Sequence, residues 1–158
     1  MKWFSMIITF FGHSSLQYCP TDEERLYRQI EIFAKGDSVD FYLGGYGAFD
    51  NLAKKCAKKY KETHADSRIV FITPYLNTWL SKRKEYLEKE YDEILYPPLE
   101  NVPPKFAIAR RNIWMINQAD YIIAYVKTHY GGVYKSLLFA AKHNKTYINI
   151  FTGEYELY

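Results

Sequence analysis

Ten residues, Phe41-Tyr42-Leu43-Gly44-Gly45-Tyr46-Gly47-Ala48-Phe49-Asp50, constrain this chain more than any others. An apolar run of strand-forming residues stops at three glycines within four positions, and a helical pattern starts at once. Glycine accepts positive φ and lets a ligand approach the main chain. The first N–H groups of the following helix have no helical partner, and the helix dipole favours an anion there. Strand, glycine turn and helix together describe a phosphate cradle. The spacing is neither GxxxxGK[ST] nor GxGxxG, so neither a P-loop nor a dinucleotide fingerprint is present. Two readings stand: a cradle built from Gly44, Gly45, Tyr46 and Gly47, or a tight turn with no ligand.

The rest of the chain repeats this unit. An apolar strand over residues 4–11 runs into the loop Gly12-His13-Ser14-Ser15. Thr21-Asp22-Glu23-Glu24 reads as a capping box opening a helix with Leu26, Ile30 and Phe33 on one face, ended by Gly36. Strand 39–43 leads to a helix over about 48–63, with Phe49, Leu52, Cys56 and Tyr60 inward and lysines outward. Strand 68–72 stops before Pro74; residues 78–95 are charged and partly helical in pattern; Pro97-Pro98 and Pro103-Pro104 frame an irregular connection. A helix over about 105–118, a strand 121–126, a loop ending in Gly131-Gly132, a helix 133–143 and a strand 146–150 complete the series. Alternating strands and helices predict an α/β fold: a Rossmann-like, doubly wound, mostly parallel five-stranded sheet with helices on both faces, in one domain over 1–158. Ligands in such sheets lie beyond the C-terminal strand ends. Gly12–Ser15, Gly44–Gly47 and Thr128–Gly132 should therefore meet at one edge.

Composition narrows the function. The chain has 158 residues, 48% hydrophobic and 25% charged, the profile of a globular domain. Net charge is only +3 and the basic residues form no stripe, from which no nucleic-acid partner is expected. The 16 tyrosines suggest an aromatic core, pocket or subunit interface. Cys19 and Cys56 form no disulfide or metal framework, and no metal site is expected. Met1–Phe11 has the outline of a signal peptide, but the apolar run is short and lacks a small-residue cleavage site. No segment reaches the ~20 apolar residues of a membrane span. A cytoplasmic protein with no membrane partner is the expectation.

A resemblance enters at Ala109-Arg110-Arg111-Asn112-Ile113-Trp114-Met115-Ile116-Asn117-Gln118-Ala119-Asp120, followed by a strand and Gly131-Gly132. This order is similar to the LOG phosphoribohydrolases, with their RKxxM helix, AD-strand and PGGxGTxxE loop. The likeness covers most of the chain and points to the wider SLOG superfamily, the Rossmann-like group of SMF/DprA and LOG proteins. The start FFGH and the helix PPKFAIARRNIWM look more like small bacterial members than like the LOG enzymes. Arg111 matches the family's arginine, and Asn112 replaces its lysine. Gly131 and Gly132 match the phosphate-loop glycines, while Tyr134 and Lys135 replace the third glycine and the threonine. Leu138 stands where the family has its catalytic glutamate. The resemblance implies a nucleotide-type ligand and a dimer. The tyrosine-rich composition, with Phe106, Trp114 and Tyr121 in and just after one helix, points the same way and to a two-fold homodimer that packs the 105–118 helices together, and no added cofactor is expected.

The residues allow several roles. Arg110 and Arg111 are adjacent on a helix and diverge, so only one reaches the strand-end edge; the resemblance selects Arg111, as phosphate clamp or as structural ion pair. Asp50 is either a helix N-terminal charge or the carboxylate that leucine at 138 fails to supply to an oxocarbenium-like transition state. His13 and Ser14 contact the ligand or stabilise their turn. His129 and Tyr130 flank the second glycine pair. The expected function is binding of a nucleotide or nucleotide-derived molecule through Gly12, His13, Ser14, Gly44 to Gly47, Arg111, Gly131 and Gly132. The alternatives are a hydrolase or transferase at a nucleotide's N-glycosidic bond, and a protein-interaction module with a vestigial cleft.

Overall fold

The computed structural model describes residues 5–152 and 154–156. Its elements run β1 (Met6–Gly12), α1 (Pro20–Ala34), β2 (Val39–Leu43), α2 (Ala48–Thr63), β3 (Arg68–Ile72), α3 (Thr78–Glu90), β4 (Glu93–Leu95), a 3-10 turn (Pro104–Phe106), α4 (Ala107–Gln118), β5 (Tyr121–Tyr125), α5 (Gly132–Lys142), β6 (Tyr147–Asn149) and β7 (Glu154–Glu156). The strands form one sheet in the order β4-β3-β2-β1-β5-β6-β7. The β1–β6 pairings are all parallel, and β7 joins the edge antiparallel to β6. The sheet is therefore Rossmann-like and doubly wound as expected, with six parallel strands where the sequence suggested five.

The extra strand is β4. Its three residues follow a charged helix and carry no alternation of their own; pairing with Val70–Ile72 of β3 defines it. Phe4, read as the start of the first strand, lies outside the described residues. The first helix also opens differently. Pro20 takes the first turn, Cys19 is the N-cap, and Asp22 accepts from the Cys19 N–H at 3.0 Å, so the box is shifted from Thr21.

Strand side chains alternate between two cores, as the pleat requires. Ile8, Phe10, Phe41, Leu43, Ile69 and Phe71 pack under α1, α2 and α3 with Leu26, Ile30, Phe49, Cys56 and Tyr60. Phe11, Tyr42, Val70, Ile72 and Ile122 pack under α4 and α5 with Met115, Ile116 and Ala140. Successive strands are added leftward from β1 to β4 and rightward from β1 through β5 and β6, all still parallel, which puts the topological switch point between β1 and β5. The lysines of α2 are largely neutralised: Lys55 pairs with Glu23, Lys54 and Lys58 with Glu90, and Lys61 with Asp92. Among the described residues no helix is long and apolar enough to cross a membrane.

Candidate functional site

At the C-terminal edge of the sheet, Gly12, Ser14, Gly44, Tyr46, Asp50, Ile108, Arg111, Asn112, Met115, Gly132, Val133 and Ser136 line one cavity of about 200 Å³. The three loops that the topology rule gathered do converge. A second depression shares Gly132 and Val133 with it and is lined by His13, Ser15, Lys127, Tyr130 and Gly131. The two meet at the start of α5, beside the switch point. Tyrosines do not fill the space: Tyr46 is 77% exposed and Tyr130 75%.

The two glycine turns differ in what surrounds them. A Cβ on Gly12 would overlap the Phe49 ring at 2.1 Å, on Gly45 the Phe71 ring at 2.2 Å, and on Gly47 the Ser14 Cβ at 2.4 Å. These glycines are required by internal packing. Two N–H groups around the first turn are used internally as well. Tyr46 N–H donates to Asp50 Oδ2 at 2.9 Å, and Ala48 N–H to the Ser14 carbonyl at 2.9 Å. The Asp50 carboxylate thus occupies the place the sequence offered to an anion.

The second turn is open. Gly131 is the N-cap of α5 at φ 91°, in the left-handed region, yet a Cβ on Gly131 or Gly132 would meet nothing within 4 Å. Among the described residues, the N–H groups of Gly132, Val133 and Tyr134 have no acceptor, and the first turn holds no acidic side chain. Ser136 Oγ donates back to the Gly132 carbonyl at 3.0 Å, which firms this turn.

Arg111 enters from α4 and is only 7% exposed. Its Nη1 donates to the Gly44 carbonyl at 3.2 Å and to the Ile72 carbonyl at 2.9 Å, tying the ends of β2 and β3 together. Nε donates to Asn112 Oδ1 at 3.0 Å. Nη2 makes no hydrogen bond among the described residues, and Arg111 is one of the residues that line the cavity. Burial lowers the Arg111 pKa from its ordinary value, opposed by the Asp50 charge. Burial raises Asp50 to about 6, against the Tyr46 hydrogen bond and the Arg111 charge, which act downward.

His13 serves a local purpose. Its Nε2 accepts the Lys127 N–H at 2.9 Å, joining the loops after β1 and β5, and its carbonyl accepts the Tyr18 hydroxyl at 2.8 Å. Burial and the Lys127 charge lower its pKa, which favours the neutral, accepting ring. Leu138 is half exposed and does not line the cavity; Val133 and Ser136 present that side of α5. Of the proposed aromatic interface, Trp114 stacks on Tyr42 at 5.9 Å and Tyr121 on Phe33 at 4.4 Å, which leaves Phe106 half exposed. Asn149 at this edge has no counterpart in the sequence reading, and Asn112, noted there only as a replacement for the family's lysine, has a structural role. Asn149 closes the end of β6 onto Val126 with two 2.9 Å hydrogen bonds, and Asn112 carries an amide beside Arg111. An asparagine at a strand end, such as Asn149, has no motif to mark it. Among the described residues no cluster suited to a metal ion occurs.

No family model matches the chain, and no curated protein matches its sequence. Solved structures do match. The DNA processing protein A of Streptococcus pneumoniae aligns with TM-score 0.64 at 12% identity, over 92% of this chain and 50% of that one. The same protein of Helicobacter pylori, described with a single-stranded DNA binding mode, aligns with TM-score 0.63 at 17% identity, over 91% and 64%. The molybdenum cofactor binding protein of Rippkaea orientalis aligns with TM-score 0.58 at 21% identity, over 94% and 77%. This chain spans half the length of the first of these and less than two thirds of the second. One expectation is corrected here. Weak net charge was read as excluding nucleic acid, but this fold is shared with a protein described as binding single-stranded DNA, so charge alone excludes nothing. The SLOG resemblance read from residues 109–120 and 131–132 holds as a likeness of fold: the chain has the Rossmann-like architecture of the SLOG proteins.

Proposed function

We propose that this chain binds a nucleotide or nucleotide-derived molecule, with its phosphate on the N-terminus of α5. The observation that carries the reading is the contrast between the two glycine turns: the turn after β2 is closed by Asp50, Ser14 and Phe71, while Gly132, Val133 and Tyr134 offer three unused N–H groups to an open space. A second feature points the same way. Arg111 is more than nine-tenths buried and lines the same cavity, yet its Nη2 has no partner among the described residues. Charge-assisted hydrogen bonds from such donors bind phosphate strongly. Gly44 to Gly47 then shape the wall, and His13 sets the loop. Cys19 and Cys56 are unbridged, which fits a cytoplasmic setting.

A second reading is favoured by Tyr46 and Tyr130, exposed on either side of the site. In it the anion is a backbone phosphate of a single strand and the tyrosines stack on bases.

The test is Gly132→Glu. The position is the first of α5, and a side chain there meets no neighbour. A carboxylate at a helix N-terminus stabilises the fold by about 0.3–1 kcal/mol while filling the anion position. The variant should fold normally and lose at least about tenfold in affinity for nucleoside monophosphates, since one charge-assisted hydrogen bond is worth about 1.5–3 kcal/mol. Unchanged affinity measured by calorimetry would reject the site.

A further inference from the structure

Resting on that phosphate site, we infer that the group next to the phosphate is a pentose whose vicinal hydroxyls are read by Asp50, Asn112 and Arg111.

The three side chains line the cavity that Gly132 also lines. Each has one polar position left over. Asp50 Oδ2 is taken by the Tyr46 N–H, and Oδ1 has no partner among the described residues. Asn112 Oδ1 is taken by Arg111 Nε, which turns the amide N–H pair away from the guanidinium and leaves it without an acceptor. Arg111 spends Nη1 on the Gly44 and Ile72 carbonyls and keeps Nη2. The residues that carry this one acceptor and these two donors line one space of about 200 Å³, enough for a small ring, given that a cavity of about 150 Å³ holds benzene. A vicinal diol matches this set, because each hydroxyl both donates and accepts. A second phosphate does not match it, since the Asp50 carboxylate would repel another anion; Nη2 carries two N–H groups, one for the phosphate on α5 and one for a hydroxyl. A purely apolar group does not match it either, because burying the donors and Oδ1 without partners costs free energy.

Asp50 is also held where ionisation is unfavourable, its pKa raised by burial. The charged group facing it is Arg111 of α4, and Tyr18 and Tyr91 feel its charge. Ionisable groups kept at such a cost concentrate at functional sites.

The experiment uses base-free probes. Ribose 5-phosphate, 2-deoxyribose 5-phosphate and inorganic phosphate are titrated into the wild-type chain, Asp50→Ala and Gly132→Glu. Wild type should bind ribose 5-phosphate about tenfold or more tighter than the other two. Asp50→Ala should bring ribose 5-phosphate down to the level of 2-deoxyribose 5-phosphate and leave inorganic phosphate unchanged. Gly132→Glu should weaken all three. Equal binding of the ribose and deoxyribose phosphates by wild type, or an unaltered preference in Asp50→Ala, overturns the inference and leaves the phosphate site standing. Failure of all three probes to bind overturns both. A mononucleotide and the 5′-phosphorylated end of an RNA strand share this chemistry. Tighter binding of a 5′-phosphorylated oligoribonucleotide than of its mononucleotide assigns the group to a strand; equal binding assigns it to the mononucleotide.

Discussion

The guanidinium of Arg111 lies against the main chain of Gly44, its Nη1 3.2 Å from the Gly44 carbonyl oxygen, where a Cβ on Gly44 would come within 3.1 Å of Nη2. The same nitrogen holds the Ile72 carbonyl, so one side chain of α4 joins the ends of two strands on which the cavity is built.

Arg111 therefore carries structure as well as ligand chemistry. Arg111→Leu strands the Gly44 and Ile72 carbonyls in a buried setting, at about 1–3 kcal/mol for each unsatisfied group. The expected loss of unliganded stability is about 2–5 kcal/mol by urea unfolding. This differs from a surface phosphate clamp, whose removal leaves the free protein unaffected; a change below about 1 kcal/mol would return Arg111 to that role.

Asp50 gives a pH signature. Its carboxyl is at about 6 in the fold against 3.8 ordinarily. Between these values the folded chain keeps a proton that the unfolded chain has released. Stability contributed by Asp50 thus falls as pH rises through that window, and the deficit persists above it. Asp50 is only partly buried from solvent, and screening leaves a deficit of about 1–3 kcal/mol. Asp50→Asn keeps an oxygen for the Tyr46 N–H and removes the charge. It should be about 1–3 kcal/mol more stable than wild type at pH 7.5 and equal to it near pH 3. A variant less stable at pH 7.5 would show that the ionised carboxylate stabilises the fold.

Leu138 tests the enzymatic alternative. Leu138→Glu restores the LOG motif in sequence, but the side chain is half exposed on α5 and outside the cavity. Chromatography after incubation with the common nucleoside monophosphates should show no base release above background in wild type or variant. Base release gained on substitution would mean that this face of α5 turns into the site.

The sequence made most of the frame readable because each element announces itself locally. The β2 and β3 boundaries, 39–43 and 68–72, are bounded by charged or glycine-rich flanks, and α2 carries Phe49, Cys56 and Tyr60 at helical spacing. The short strands were not readable: β4 and β7 have three residues each and exist through pairing with β3 and β6. At the site, the glycines identified the right edge but not which turn is open. That depends on Phe49, Phe71, Ser14 and Asp50 arriving from elsewhere in the fold, and glycine required by a neighbouring ring looks the same in sequence as glycine required by a ligand.

The central claim is that an anion sits on α5 and not on α2. It is tested most directly by backbone amide chemical shifts during titration with ribose 5-phosphate. Saturable shifts should concentrate on the N–H groups of Gly132, Val133 and Tyr134, which are unused in the free protein, while Tyr46 and Ala48, already bonded to Asp50 and Ser14, stay near their starting positions. Shifts that centre on Tyr46 and Ala48 and leave Gly132 to Tyr134 unmoved would contradict the account.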